Sequence, residues 1–75
     1  MILEKIKRIF EQDFEIDPSE VTPEADILAD LGLDEIDIYD MVMSVEDVFE
    51  MELSDEELEK IRTIGDLIRF VENNK

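Results

Sequence analysis

Between Arg8 and Lys60 the chain has no basic residue, yet it places twenty acids there, its 23 less Glu4, Asp66 and Glu72. A carboxylate taken out of water without a paired cation is expensive, so these acids must line a solvated surface. Only apolar residues repeating at a regular spacing can then build the core. In 75 residues there is room for one domain, residues 1–75, burying about two thirds of the surface that the unfolded chain exposes. Apolar residues make up 44% and charged residues 40%, and the net charge is -16, so the expected core is thin and the expected surface strongly negative.

That charge repels phosphate and anionic lipid, which argues against nucleic acid or a membrane as a partner. Basic protein surfaces and loosely held divalent cations are the partners it favours. The chain contains no Cys and no His, so thiolate nucleophiles, zinc fingers and the commonest general base are all missing. The start of the chain, Met1 to Lys7, is too polar for a signal peptide, and no apolar run is long enough to span a membrane. A soluble, cytoplasmic monomer is expected.

Apolar positions at Ile2, Leu3, Ile6, Ile9, Phe10 and Phe14 fall at helical spacing and predict a first helix over residues 2–14. Pro18 breaks it, because the residue before a proline avoids the α region. The segment 16–33 holds Pro18, Pro23 and Gly32 but also Ile16, Val21, Ile27, Leu28 and Leu31. It reads as a loop anchored across the bundle by those apolar side chains. Asp34 and Asp37 have the spacing of a capping box, which starts a second helix. Ser54 with Glu57 predicts a short helix over 55–61, and Thr63 with Asp66 a last helix to about residue 72. The fold class is therefore all-α, an irregular antiparallel four-helix bundle with a long first loop and a short third helix. No internal repeat is present.

On the second helix Ile38, Val42, Val45 and Phe49 recur by four, three and four and predict the core stripe, with Met41 and Val48 at its edges. Ile36, Tyr39 and Met43 lie roughly 160 to 200° away when each residue turns the helix by about 100°, so they are expected to face outward. Asp37, Asp40, Glu46 and Asp47 border them. An apolar centre with a charged rim has the form of a protein-binding site.

The segment Asp30-Leu31-Gly32-Leu33-Asp34-Glu35-Ile36-Asp37 resembles the signature of the acyl carrier protein family, in which Asp-Leu-Gly, a variable residue and Asp-Ser-Leu follow one another. The likeness extends along the chain through Asp40 to Met43, Glu46 to Phe49, Glu52 to Glu56 and Glu59 to Asp66. It implies the helical bundle, the second helix as partner-recognition element, and partners among acyl-handling enzymes of fatty acid or polyketide synthesis. In that family the serine of the motif carries 4'-phosphopantetheine, whose thiol holds the acyl chain.

Here the position of that serine is Glu35, flanked by Asp30, Leu31, Gly32, Asp34 and Ile36. A glutamate carboxylate cannot replace the serine hydroxyl as acceptor of the phosphodiester, so no cofactor is expected and covalent acyl carriage is expected to be absent. Ser19, Ser44 and Ser54 lack the Gly-x-Asp context that would mark a relocated site. Glu35 has two readings: a structural one, since an acid in the first turn gains roughly 0.3 to 1 kcal/mol from the helix dipole, and a functional one, in which it puts a negative charge where the phosphate of the family's arm would sit. The carboxylates Asp34, Glu35 and Asp37 are too exposed in a first turn to be split into acid and base, which argues against an enzyme. From Asp30 to Asp40 the acids lack the ligand order of a calcium loop, so no metal site is expected. The sequence thus reads as an acidic binding module of this family. A conventional carrier whose serine was substituted and an unrelated acidic adaptor that mimics nucleic acid are the alternatives.

Overall fold

A computed structural model describes residues 1–74, and Lys75, part of the expected domain, lies outside the described residues. Four helices follow one another: α1 over Ile2–Phe14, α2 over Glu35–Phe49, α3 over Asp55–Glu59 and α4 over Ile64–Asn73. Among the described residues the helices are joined by loops and one three-residue 3-10 turn, Pro18–Glu20, with no β-strand. The bundle measures 26 × 25 × 20 Å.

The apolar face of α1 buries Ile6, Ile9 and Phe10 against α2 and α4. Antiparallel packing on α2 follows from two contacts at opposite ends of α1. The Lys5 ammonium lies 5.8 Å from the Phe49 ring centre, and Ser44 Oγ donates to Asp13 Oδ2 at 2.5 Å. Helix α1 ends at Glu15, whose left-handed φ of 55° turns the chain and lets Ile16 N donate to Phe10 O at 3.2 Å.

The expected core stripe of α2 is present but displaced. Met41, Val42 and Val45 are buried, while Ile38 and Phe49 pack against the core only partly covered. Met41, expected at an edge, is 0% exposed, and Val48, a heptad further on, is 42% exposed. Met41 joins the core cluster with Val42 and Val45, and its unbranched side chain adapts readily to such a site.

Of the expected anchors of the loop from 16 to 33, Val21 and Ile27 are buried and Ile16 and Leu31 partly buried, and Ala25 and Leu33, which were not expected as anchors, are buried as well. Leu28 is the exception. It was expected as an anchor and is 52% exposed, because the turn that follows Ile27 lifts it off the core. Backbone bonds join this loop to the start of α4: Ile27 N to Arg62 O at 2.9 Å, Ile64 N to Ala25 O at 3.0 Å and Gly65 N to Pro23 O at 2.8 Å. A Cβ at residue 65 would lie 2.9 Å from Pro23 O, so glycine is what permits this close approach.

Both later capping boxes form. Ser54 accepts from Glu57 N at 3.1 Å and Glu57 returns the bond to Ser54 N at 3.0 Å. Thr63 and Asp66 do the same at 3.1 Å each way. Helix α3 ends at Glu59, two residues before the expected 61, because Lys60 N and Ile61 N bond three residues back, to Glu57 O and Leu58 O.

Candidate functional site at the head of the second helix

The approach to α2 is shaped by a chain of short-range bonds. Asp26 is its hub: its carboxylate accepts from Leu28 N at 3.0 Å, Ala29 N at 2.9 Å and Arg62 Nε at 2.7 Å. These donors, Ala29 N–H first and the Arg62 guanidinium next, hold its carboxyl below the usual range, and Asp26 in turn raises the Arg62 guanidinium. Asp30, the first residue of the family-like motif, accepts from Asp26 N at 2.8 Å. Its carboxylate closes the turn before α2. Gly32 then takes φ of 74°, a conformation that side-chain-bearing residues adopt only at a cost. Leu31 is partly buried and Leu33 buried.

At the helix start Asp37 N donates to Asp34 Oδ1 at 2.8 Å and Asp34 N to Asp37 Oδ2 at 3.3 Å, the reciprocal pair of a capping box. Glu35 is the first residue of α2 and is exposed. It has no part in that capping box. The two ion pairs among the described residues are elsewhere, Arg62 with Asp26 and Arg69 with Asp66.

Ile36, Tyr39 and Met43 stand in solvent, 74%, 57% and 59% exposed, as the helical arithmetic requires. Of their acidic neighbours Asp40 and Asp47 are exposed. Asp37 is committed to the capping box, and Glu46 is partly buried and accepts from Leu53 N at 2.8 Å. Four acids read from the sequence as one rim thus divide in two: Asp40 and Asp47 face outward, and Asp37 and Glu46 hold the backbone. The spacing of Glu46 and Leu53 in sequence offers no sign of that bond, because the loop after α2 decides it.

Beside the strip a groove of about 480 Å³ opens between α2, α3 and the loop, lined by Ile27, Leu28, Ile38, Tyr39, Leu58 and Ile61, with Glu35 at its edge. The exposure of Leu28 belongs to this groove. Arg62 also borders it but is paired with Asp26, so its charge is already answered. Among the described residues no cluster of three or more acids is placed to hold a metal ion, and no helix is long and apolar enough to cross a membrane.

A four-helix bundle whose glycine turn delivers an exposed first turn of the second helix, rimmed by acids, is a carrier-type bundle. The comparisons give the particular family. The family model described as "Phosphopantetheine attachment site" matches residues 4–71. An acyl carrier protein of Wolinella succinogenes is 40% identical over 74 residues, spanning 99% of this chain and 97% of that protein. An acyl carrier protein of Helicobacter pylori is 36% identical over 74 residues, 99% of this chain and 95% of its own length. The chain belongs to the acyl carrier protein family, whose cofactor is 4'-phosphopantetheine.

Proposed function

We propose that this chain is a non-catalytic, acidic binding module of the acyl carrier protein family that engages acyl-handling enzymes without carrying an acyl group. The observation that supports it is the exposed Glu35 at the head of α2, where the family motif has its arm-bearing serine. The residues present do not fit covalent attachment of the cofactor at this position, since a carboxylate offers no hydroxyl to form the phosphodiester. Three other hydroxyls are engaged elsewhere: Ser44 donates to Asp13, and Ser54 and Thr63 accept from the amides of their own helices.

What remains is a recognition surface. Ile36, Tyr39 and Met43 form its apolar centre, and Glu35, Asp40 and Asp47 are the acids free to meet basic side chains of a partner. Asp30, Leu31, Gly32, Asp34, Asp37 and Glu46 hold this surface in shape. Long-range attraction raises the rate of encounter, and burial of the strip holds the complex. The bundle acts as one cytoplasmic domain, as a monomer, because the net charge of -16 opposes self-association. Divalent cations bind its acids weakly.

Incubation with coenzyme A and a phosphopantetheinyl transferase, followed by intact-mass spectrometry, tests the missing arm. The mass of this chain stays unchanged while a serine-bearing carrier in the same tube gains the arm. A matching gain on this chain overturns the reading. The alternative of a conventional carrier with a substituted serine rests on the intact turn and capping box around Glu35, and Glu35→Ser tests it by accepting the arm.

A further inference from the structure

We infer that the chain competes with arm-bearing carriers for enzymes that act on the arm thiol, with Glu35 standing in for the negative charge of the arm's phosphodiester. This rests on the docking reading above. It goes beyond that reading by giving Glu35 a function of its own and the partner a defined chemistry.

Glu35 is not one of the residues that cap the helix start. The capping box at the head of α2 is made by Asp34 and Asp37, and Glu35 is exposed beside them. No base of this chain stands between residues 9 and 59. Arg62, which borders the same groove as Glu35, is tied to Asp26. The Glu35 carboxylate is therefore available to a cation from outside.

Its covalent shape suits such a cation. The carboxyl carbon of a glutamate and the phosphorus of a serine phosphodiester stand the same number of bonds from Cα, and each group carries one negative charge near neutral pH. A lysine or arginine placed by an enzyme for the phosphodiester of a docked carrier meets the Glu35 carboxylate in a similar place. The apolar strip Ile36, Tyr39 and Met43, 57 to 74% exposed, and the outward acids Asp40 and Asp47 meet the rest of the same basic face. With no thiol to react, the complex forms and dissociates unchanged. Its occupant is thus the basic docking face of an enzyme that loads or unloads the arm thiol, a match of charge for a chain of net charge -16.

The assay follows an acyltransferase that moves an acyl group from acyl-coenzyme A to the thiol of an arm-bearing carrier, releasing coenzyme A. Added in excess, this chain is expected to raise KM for the carrier at unchanged kcat. Glu35→Gln keeps the side chain's shape and removes the charge, and it should weaken the inhibition constant about tenfold, the loss of one charge-assisted hydrogen bond. Circular dichroism melts establish that each variant is folded. Inhibition by Glu35→Gln equal to that of the unaltered chain overturns the role of the charge. A parallel arm uses Glu35→Ser, which takes the arm from coenzyme A with release of adenosine 3',5'-bisphosphate. If that arm is loaded by the acyltransferase while the unaltered chain leaves KM unmoved, docking is intact and competition is refuted. If neither occurs, the docking reading fails and competition fails with it.

Discussion

On the exposed strip of α2, side chain and charge act on different steps of binding. Tyr39, 57% exposed, buries a large ring with a polar tip when a partner covers it, and such anchors govern dissociation. Asp40, exposed, acts across a distance that salt screens beyond about 8 to 10 Å. Tyr39→Ala is therefore expected to raise the dissociation rate about tenfold or more, and Asp40→Lys to slow association and flatten its dependence on salt. Stopped-flow binding to an acyl-loading enzyme separates the two, and the reverse assignment of rates counts against the division. Glu35 is the residue on which the family expectation and the chemistry part. Its place in the motif, its exposure in the first turn and the capping box of Asp34 and Asp37 beside it were readable from the sequence, while its position on the groove with Ile27, Leu28 and Ile38 was not.

At the scale of elements, the helix starts differ in what holds them. Asp66 accepts from Arg62 N at 3.0 Å and Thr63 N at 3.1 Å and pairs with Arg69. The Arg62 and Thr63 amides are the chief reason its carboxyl lies below the usual range, as the Ser54 amide is for Glu57. A depressed folded pKa contributes stability that is present above the unfolded value, near 4, and is lost as pH falls through the lower folded value. Melting temperature should accordingly fall below about pH 4, and Asp66→Asn should melt lower at neutral pH yet lose less on acidification. An acid limb as steep in that variant as in the unaltered chain assigns the loss to other carboxylates. Helix α3 spans Asp55–Glu59 and buries no residue fully, too short to stand without packing. Hydrogen exchange should find its amides less protected than those of α1, α2 and α4. Equal protection in α3 and α1 would contradict that order.

For the whole molecule, the opposing quantities are a thin core and an uncompensated charge. Thirteen apolar residues form the buried cluster, while two ion pairs among the described residues leave most acids without a cation close by. Self-repulsion therefore opposes the compact state. Added salt or millimolar Mg²⁺ should raise the melting temperature, each kcal/mol relieved moving it by about 4 to 8 °C in a domain of this size. A melt indifferent to both shows that repulsion is not what limits stability. The same charge favours association with basic partners, so salt that steadies the bundle should slow its encounters.

Helix starts, periodicity and the outward strip were determined by sequence alone. Caps at Asp34, Ser54 and Thr63 and the spacing of Ile36, Tyr39 and Met43 are local properties, set within a few residues by backbone amides and helical geometry. The family motif around Glu35 was legible for the same reason. Tertiary structure decided everything that depends on a second element. It buried Met41, lifted Leu28 to the groove, committed Glu46 to Leu53 and tied Arg62 to Asp26 across 36 residues. The physical reason is one of range. A cap or a helical stripe is fixed by neighbours in the chain, whereas the burial of an edge residue and the partner of an acid depend on which element is packed across from it.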